Sequence, residues 1–175
     1  MPSPSAPDID DKLLPAVCVL DAGVLMLAWL EKKHRPATPV CRALWKSLVA
    51  PERLARGCRV LIPAPVLAEL MRGERPSDPP RIRGVQVAPF TSRAARLMAQ
   101  HLPHAFIEHE VAQTQLPRAY VKYDALIVAT AIAYEATLVT LDGWPKRLTN
   151  LPIHVRHPDE FRTAQESFSF PSPAK

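Results

Sequence analysis

The sequence is poor in glycine and cysteine. Its 175 residues include five glycines and three cysteines. No glycine-rich motif of the G-x-x-x-x-G-K-[ST] or G-x-G-x-x-G kind occurs, so the nucleotide-binding folds that need such loops lose their main support. Cys18, Cys41 and Cys58 are odd in number and form no C-x-x-C pair, which argues against a disulfide framework or a zinc knuckle. Buried thiols are the simpler interpretation.

The sequence also lacks a long apolar run. No stretch approaches the roughly 20 apolar residues that a membrane-spanning helix needs, so we expect no membrane association. Asp8, Asp10 and Asp11 precede the first apolar run, residues 16–20, which has only the length of a strand. We therefore expect no signal peptide and a cytoplasmic location.

Proline is in excess, with twenty residues, and is frequent near both ends of the chain. Six of the prolines lie there: Pro2, Pro4, Pro7, Pro15, Pro171 and Pro173. Such ends are typical of flexible tails. We predict an N-terminal tail over residues 1–15, one domain over residues 16–160 and a C-terminal tail over residues 161–175.

The chain is basic, with 22 lysines and arginines against 17 acidic residues and a formal net charge of +5. An anionic partner such as a nucleic acid would suit this charge, although many proteins with other partners are equally basic. An apolar fraction of 47% is that of an ordinary globular protein.

Short apolar segments alternate with helical patterns along the chain. We predict strands at residues 16–20, 59–62, 85–90 and 137–141, and a weaker fifth strand at 153–155. The predicted helices cover residues 23–33, 38–48 (or as far as 56), 63–71, 92–101, 105–113 and 119–135. This alternation indicates a three-layer αβα fold with a central, mostly parallel sheet of four to five strands.

Four acidic residues are predicted to meet at one edge of that sheet. Asp21 and Asp142 directly follow strands, and Glu69 and Asp124 lie early in helices. In a parallel sheet each crossover helix begins at the carboxyl edge, where open α/β sheets bind their ligands. Each residue taken alone could equally be a cap, a turn residue or a solvated helix position. The apolar neighbours of Glu69 and Asp124 favour a site, because a charge among them costs free energy unless it is paired or metal-bound.

Four carboxylates at one edge would raise one another's pKa values unless a cation neutralised them. Mg²⁺ is suited to such a site, since it prefers oxygen ligands and keeps several waters for a phosphate to replace. One or two ions could activate water and stabilise a leaving oxygen. The chemistry that this constellation predicts is phosphodiester hydrolysis.

Four segments of the sequence resemble the PIN domain, and toxins of the VapC type within it. They are Val19 to Leu25 (VLDAGVL), Pro65 to Leu70 (PVLAEL), Lys122 to Ala131 (KYDALIVATA) and Leu138 to Gly143 (LVTLDG). The resemblance spans residues 17 to about 157. It implies a Mg²⁺- or Mn²⁺-dependent ribonuclease, often dimeric and often silenced by a cognate antitoxin in a type II toxin–antitoxin pair.

By position, the resemblance implies that Asp21, Glu69, Asp124 and Asp142 are metal ligands, directly or through water, and that the Thr140 hydroxyl orients the site. The chain departs from the family's pattern after its first aspartate, where Ala22 and Gly23 replace the usual hydroxyl or amide side chains. After Asp142 it has Gly143-Trp144-Pro145, so a fifth carboxylate is absent.

Four basic residues are close in sequence to the acidic ones: Arg72, Lys122, Lys146 and Arg147. They could contact substrate phosphates or simply balance the acidic cluster. Trp144 could stack on a base or pack over the sheet edge.

Three other functions stay open at this stage. The chain could be a PIN-like module that binds RNA or protein without cleaving, which Ala22 and Gly23 suggest. It could be a nuclease directed at DNA. A phosphoacceptor receiver domain is disfavoured, because that design needs an aspartate after the third strand, where Pro89-Phe90 stands.

Overall fold

The central element of the fold is a sheet of five parallel strands. A computed structural model describes residues 7–29, 35–72, 84–143 and 150–163. The strands are β1 (Val17–Leu20), β2 (Arg59–Pro63), β3 (Val85–Ala88), β4 (Thr137–Val139) and β5 (Val155–Arg156). Most residues of β1, β2 and β4 are buried, as expected for strands covered on both faces. The predicted α/β fold with a parallel sheet is confirmed.

Seven α-helices occur in the described ranges. They are α1 (Ala22–Trp29), α2 (Thr38–Leu48), α3 (Pro51–Ala55), α4 (Ala64–Arg72), α5 (Ser92–His101), α6 (His104–Thr114) and α7 (Arg118–Ala133). The helix predicted from residue 38 to 48 does not continue to 56. Ala50 adopts an extended conformation and Pro51 begins a new helix, because proline has no N–H to donate and disfavours helical geometry in the residue before it.

None of the helices in these ranges has both the length and the apolar character that a membrane span requires.

The strand order is β3-β2-β1-β4-β5, all parallel. The chain builds outward from β1 through β2 to β3 and then returns to add β4 on the other side of β1. The switch in direction therefore lies between β1 and β4, and in open α/β sheets the crevice at the carboxyl end of such a switch point is where ligands bind.

Helix α7 has more buried residues than any other helix in the described ranges. Val128, Ala129, Thr130 and Ala131 are consecutive and each at most 1% exposed, so the helix is covered on all sides at that level. It packs against α5, α6 and β4. The Thr130 hydroxyl donates to the Leu126 carbonyl at 2.8 Å, which satisfies the one polar side chain in this stretch.

The two ends of the described chain pair with each other. Asp10 N–H donates to the Phe161 carbonyl at 2.8 Å, and Thr163 N–H donates to the Asp8 carbonyl at 3.1 Å. Ile9 and Arg162 form an antiparallel bridge. We call these segments, residues 8–14 and 158–163, the terminal clasp. The clasp includes residues 8–14 and 161–163, which were predicted to belong to flexible tails. Leu14 and Phe161 are buried there, although the high proline content of both ends suggested tails.

Phe161 fills the core from the clasp. Its side chain is fully buried, within a 3₁₀ helix that spans Pro158–Phe161 and packs against α2. Replacing Phe161 with alanine is expected to lower the free energy of unfolding by about 3–5 kcal/mol, the usual cost of removing a buried phenyl ring. Urea denaturation would measure the loss. The exposed Arg162→Ala variant is the control, and a Phe161→Ala loss no larger than that of the control would contradict the clasp.

The cysteines are thiols inside or near the core. Cys18 and Cys41 are buried and Cys58 is half-buried. Burial raises the pKa of Cys18 to about 12, with Arg53 lowering it and Cys58 raising it further by smaller amounts. Burial also raises the pKa of Cys41 to about 11, with a smaller contribution from Asp159. Both thiols are therefore poor nucleophiles, because the thiolate is the reactive form.

Thiol labelling should distinguish the three cysteines. In native protein at pH 8 we expect Cys58 to react with a disulfide reagent and the other two to react only after unfolding, because access and thiolate formation are both restricted at the buried positions. The absorbance of the released leaving group gives the number of cysteines that have reacted. The Cys58→Ser variant should lose the native reaction; a fast native reaction that persists in it would show that Cys18 or Cys41 is accessible.

Candidate active site

Asp21 lies where β1 ends and α1 begins. Its N–H continues the sheet by donating to the Val139 carbonyl at 3.1 Å, and its carbonyl accepts from Leu25 N–H at 3.2 Å in the first turn of α1. Its carboxylate Oδ1 accepts from Ala22 N–H at 2.7 Å. Only 8% of the residue is exposed. The backbone on both sides thus fixes this carboxylate at the carboxyl edge of the sheet.

Thr140 connects Asp21 to the loop after β4. The Thr140 hydroxyl donates to Asp21 Oδ2 at 2.8 Å and accepts from Asp142 N–H at 3.0 Å. The residue is 1% exposed. Because Leu20 pairs with Val139 in the sheet, the residues that follow these two strands, Asp21 and Thr140, are held side by side.

A cleft opens at this point. Its polar lining consists of Asp21, Asp124, Thr140 and Asp142, and its apolar lining of Ile127, Val128 and Leu138. Three of the four predicted carboxylates therefore share one cleft at the switch point of the sheet. Asp21 is its buried member, Asp124 is half-buried and Asp142 is exposed.

Glu69 differs from the other three carboxylates. It is exposed on α4 and is not part of the cleft lining, although its charge is near enough to contribute to the pKa of Asp21. The apolar neighbours of Glu69 suggested a costly buried charge, and this is wrong. The buried side of α4 is formed by Pro65, Val66 and Leu70, and Glu69 lies outside it.

The pKa of Asp21 is raised from its ordinary value to about 6. Burial is the main cause, and the negative charges of Asp142 and Glu69 raise it further, while the hydrogen bonds from Thr140 and Ala22 lower it. All of these effects follow from placing an ionisable oxygen pair in a largely enclosed, acidic position.

The predicted phosphate-contacting residues have different positions. Arg72 is exposed at the end of α4, three residues after Glu69 and so on the same side of that helix. Lys122 is exposed two residues before Asp124. At about 100° per residue this places it on the other side of α7 from the cleft. Lys146, Arg147 and Trp144 lie outside the described residues.

The donor set of the cleft suits a hard divalent cation, since it consists of carboxylate and hydroxyl oxygens. Within the described ranges, however, no three acidic, histidine or cysteine side chains are gathered closely enough to form a direct metal-binding group. Asp21, Asp124 and Asp142 would therefore hold an ion partly through water, which Mg²⁺ commonly retains, or after a shift of the exposed side chains.

Two contacts of the site were not predicted from the sequence. The Ala22 N–H supports the Asp21 carboxylate, although Ala22 brings no polar side chain of its own. Tyr123 donates from its hydroxyl to the Pro65 carbonyl at 3.0 Å and so joins α7, which bears Asp124, to α4, which bears Glu69. A strand–Asp–helix junction could have indicated the first contact; nothing in the sequence indicated the second.

No protein-family model and no curated protein sequence matches the chain. Solved structures with a similar fold do exist. A chain in the structure of VapBC2 from Rickettsia felis bound to a DNA fragment from their promoter is 21% identical, with a TM-score of 0.52, over 81% of this chain and 98% of that one. A chain in the FitAcB structure from Neisseria gonorrhoeae is 19% identical, with a TM-score of 0.52, over 81% and 97%.

A third structure, of FitAB bound to an IR36 DNA fragment, contains a chain that is 19% identical with a TM-score of 0.53, over 81% of this chain and 94% of that one. At such identities these likenesses show a shared fold. They agree with the three-layer αβα fold that the alternation of strands and helices predicted.

The buried carboxylate should make the metal-free protein less stable as the pH rises. A carboxyl whose pKa is raised by folding contributes stability that is present below pH 4 and is lost as the pH passes about 6. In EDTA at pH 8, Asp21→Asn should therefore raise the free energy of unfolding by about 1–3 kcal/mol, and the gain should be smaller at pH 5.

Chemical denaturation at the two pH values measures this difference. Asp142→Asn is the matched control, since Asp142 is exposed and its neutralisation should change stability little. An Asp21→Asn variant that is less stable than the wild type at pH 8 would show that the hydrogen bonds of this carboxylate outweigh its burial.

Proposed function

We propose that the protein, which has the fold of the VapBC and FitAB chains, is a PIN-type nuclease. In this proposal it hydrolyses RNA phosphodiester bonds as a Mg²⁺- or Mn²⁺-dependent endoribonuclease. The observation that carries the proposal is the buried Asp21 carboxylate, fixed by Thr140 and sharing one cleft with Asp124 and Asp142. A charge so placed costs free energy, and a bound cation would compensate that cost.

The metal would be held by Asp21, Asp124 and Asp142, and Glu69, whose charge contributes to the pKa of Asp21, would act through water or on the substrate. When bound, a divalent ion supplies charge neutralisation for the phosphate and lowers the pKa of water. Thr140 serves the site by fixing the Asp21 carboxylate and the Asp142 backbone with one hydroxyl. The apolar wall of Ile127, Val128 and Leu138 would limit water in the cleft.

The substrate phosphates need cationic partners besides the metal. Arg72 is the described residue best placed for this role, because it is exposed on the same side of α4 as Glu69. Lys146 and Arg147 remain candidates from the sequence alone. Lys122 is a weaker candidate, since it lies on the side of α7 away from the cleft.

The resemblance to VapC-type toxins extends the proposal to partners. We expect a cognate antitoxin protein, encoded next to this chain, and a homodimeric state. Coexpression with the neighbouring reading frame should relieve growth inhibition and give a complex that purifies together. If neither occurs, the assignment as a toxin fails while the nuclease activity can still be tested separately.

Cleavage of a mixed single-stranded RNA is the direct test. Purified protein should cut it with Mg²⁺ or Mn²⁺ and not with EDTA. Asp21→Asn and Asp124→Asn should each reduce the rate by at least about a hundredfold, because each removes a charge on the proposed metal. Thr140→Val should reduce it less, about tenfold, because the carboxylate remains but loses its hydrogen bond.

A matched control and a second measurement sharpen the result. Asp10→Asn removes a carboxylate from the terminal clasp and should leave cleavage unchanged. Calorimetry should detect Mg²⁺ binding to the wild type and not to Asp21→Asn. RNA bound but never cut, with no Mg²⁺ binding, would favour the non-catalytic binding module instead. Faster cleavage of DNA than of RNA would reassign the substrate.

A further inference from the structure

Tyr120 is the most exposed large apolar side chain in the described ranges, at 63%. It lies in the first turn of α7. The other described tyrosines are half-buried: Tyr123 donates its hydroxyl to the Pro65 carbonyl, and Tyr134 packs against the core. For Tyr120, no ring contact or side-chain hydrogen bond occurs among the residues that the structure describes. The fold therefore gives this ring no evident structural task.

Tyr120 lies on the same side of α7 as the residues that line the cleft. Asp124 and Val128 follow it at intervals of four residues, and Ile127 follows Asp124 at three. Residues spaced in this way share one side of a helix, and the last three of them line the cleft. Tyr120 therefore extends the cleft-lining side of α7 by one turn.

The direction of α7 places that extra turn outside the cleft. The helix leads into β4, which is parallel to β1, so it begins at the carboxyl edge and runs back along the sheet. Four residues of helix span about 6 Å. Along this side the exposure falls from 63% at Tyr120 to 3% at Ile127, so the mouth of the cleft lies between Tyr120 and Ile127, at the level of Asp124.

We propose that the Tyr120 ring is a stacking platform for a nucleobase of the bound RNA, next to the phosphodiester bond held in the cleft. The inference rests on the proposed function. An exposed aromatic ring beside a phosphate-binding cleft is the feature with which proteins hold single strands, since every base has a face that can stack. Tyr120 would thus position the strand and favour an unpaired base, with little preference among the four.

Binding without cleavage tests this directly. In EDTA, the affinity of the full-length protein for a fluorescein-labelled single-stranded RNA would be measured by anisotropy. Tyr120→Ala should weaken binding on the order of tenfold, as loss of one base–aromatic stack does, and Tyr120→Phe should stay within about threefold. The salt dependence of binding should be the same in all three proteins, because no phosphate contact is lost.

An abasic series locates the base. Removing the stacked base from the RNA should weaken wild-type binding on the order of tenfold and Tyr120→Ala binding no further, whereas an abasic site elsewhere should affect both proteins equally. With Mg²⁺, Tyr120→Ala should raise KM and leave kcat near the wild-type value. Leu13→Ala is the control: Leu13 is an exposed apolar side chain that precedes β1, at the opposite edge of the sheet.

The outcomes separate the two proposals. If the wild type cleaves RNA and Tyr120→Ala has the same affinity and KM, the stacking role is overturned and the nuclease function is retained. RNA bound through Tyr120 but never cleaved would support the stacking role and overturn the nuclease. A wild-type protein that does not bind RNA at all would overturn both. Loss of binding in Leu13→Ala as well would also overturn the inference, by showing that the effect is not local.

Discussion

The hydrogen bond from the Thr140 hydroxyl to the Asp21 carboxylate is the contact on which the acidic edge depends. It joins the ends of β1 and β4, the two strands between which the sheet reverses its direction of growth. The same hydroxyl accepts a hydrogen bond from the Asp142 N–H, so one side chain contacts two acidic residues that follow different strands. Without it, Asp21 and Asp142 would lie at the same edge of the sheet but would no longer be joined through one side chain.

Holding these carboxylates together lowers the stability of the fold, and the sheet below them makes the arrangement possible. Asp21 is enclosed and has acidic neighbours, so in its ionised form it destabilises the fold that contains it. The strands below it are almost completely buried and hold the residue regardless of that cost. Local destabilisation of this kind is common at functional positions, where a rigid scaffold holds groups that would otherwise separate.

Much of the fold could be predicted from the sequence, because local patterns determine it. Continuous apolar segments such as Val17–Leu20 have the length and composition of buried strands, and the rule that crossover helices begin at the carboxyl edge places Asp21, Asp124 and Asp142 together without knowledge of the strand order. The strand order itself depends on long-range packing, which the sequence patterns did not specify. The hydrogen bond between Thr140 and Asp21 joins residues 119 positions apart; the family resemblance implied that Thr140 orients the site, and the register of β1 against β4 shows which residue it contacts.

Glu69 and the terminal clasp show where sequence patterns misled. Apolar neighbours suggested that Glu69 is buried, but on a helix the phase decides, and Val66 and Leu70 take the inner side while Glu69 faces outward. The abundance of proline near the ends suggested tails, whereas Leu14 and Phe161 are buried in the core and backbone hydrogen bonds join their segments. In both cases the burial of individual side chains differed from what the composition of the segment suggested.

The terminal clasp has a consequence for the connectivity of the molecule. Because the backbones of Asp8 and Thr163 are joined by a hydrogen bond of 3.1 Å, these two residues, which lie near the two ends of the described chain, are neighbours in space. A few residues of linker could join them into a closed ring, and new ends could be opened at the exposed junction between α6 and α7, residues 115–117. The order in which the strands are synthesised would then change while their positions stayed the same.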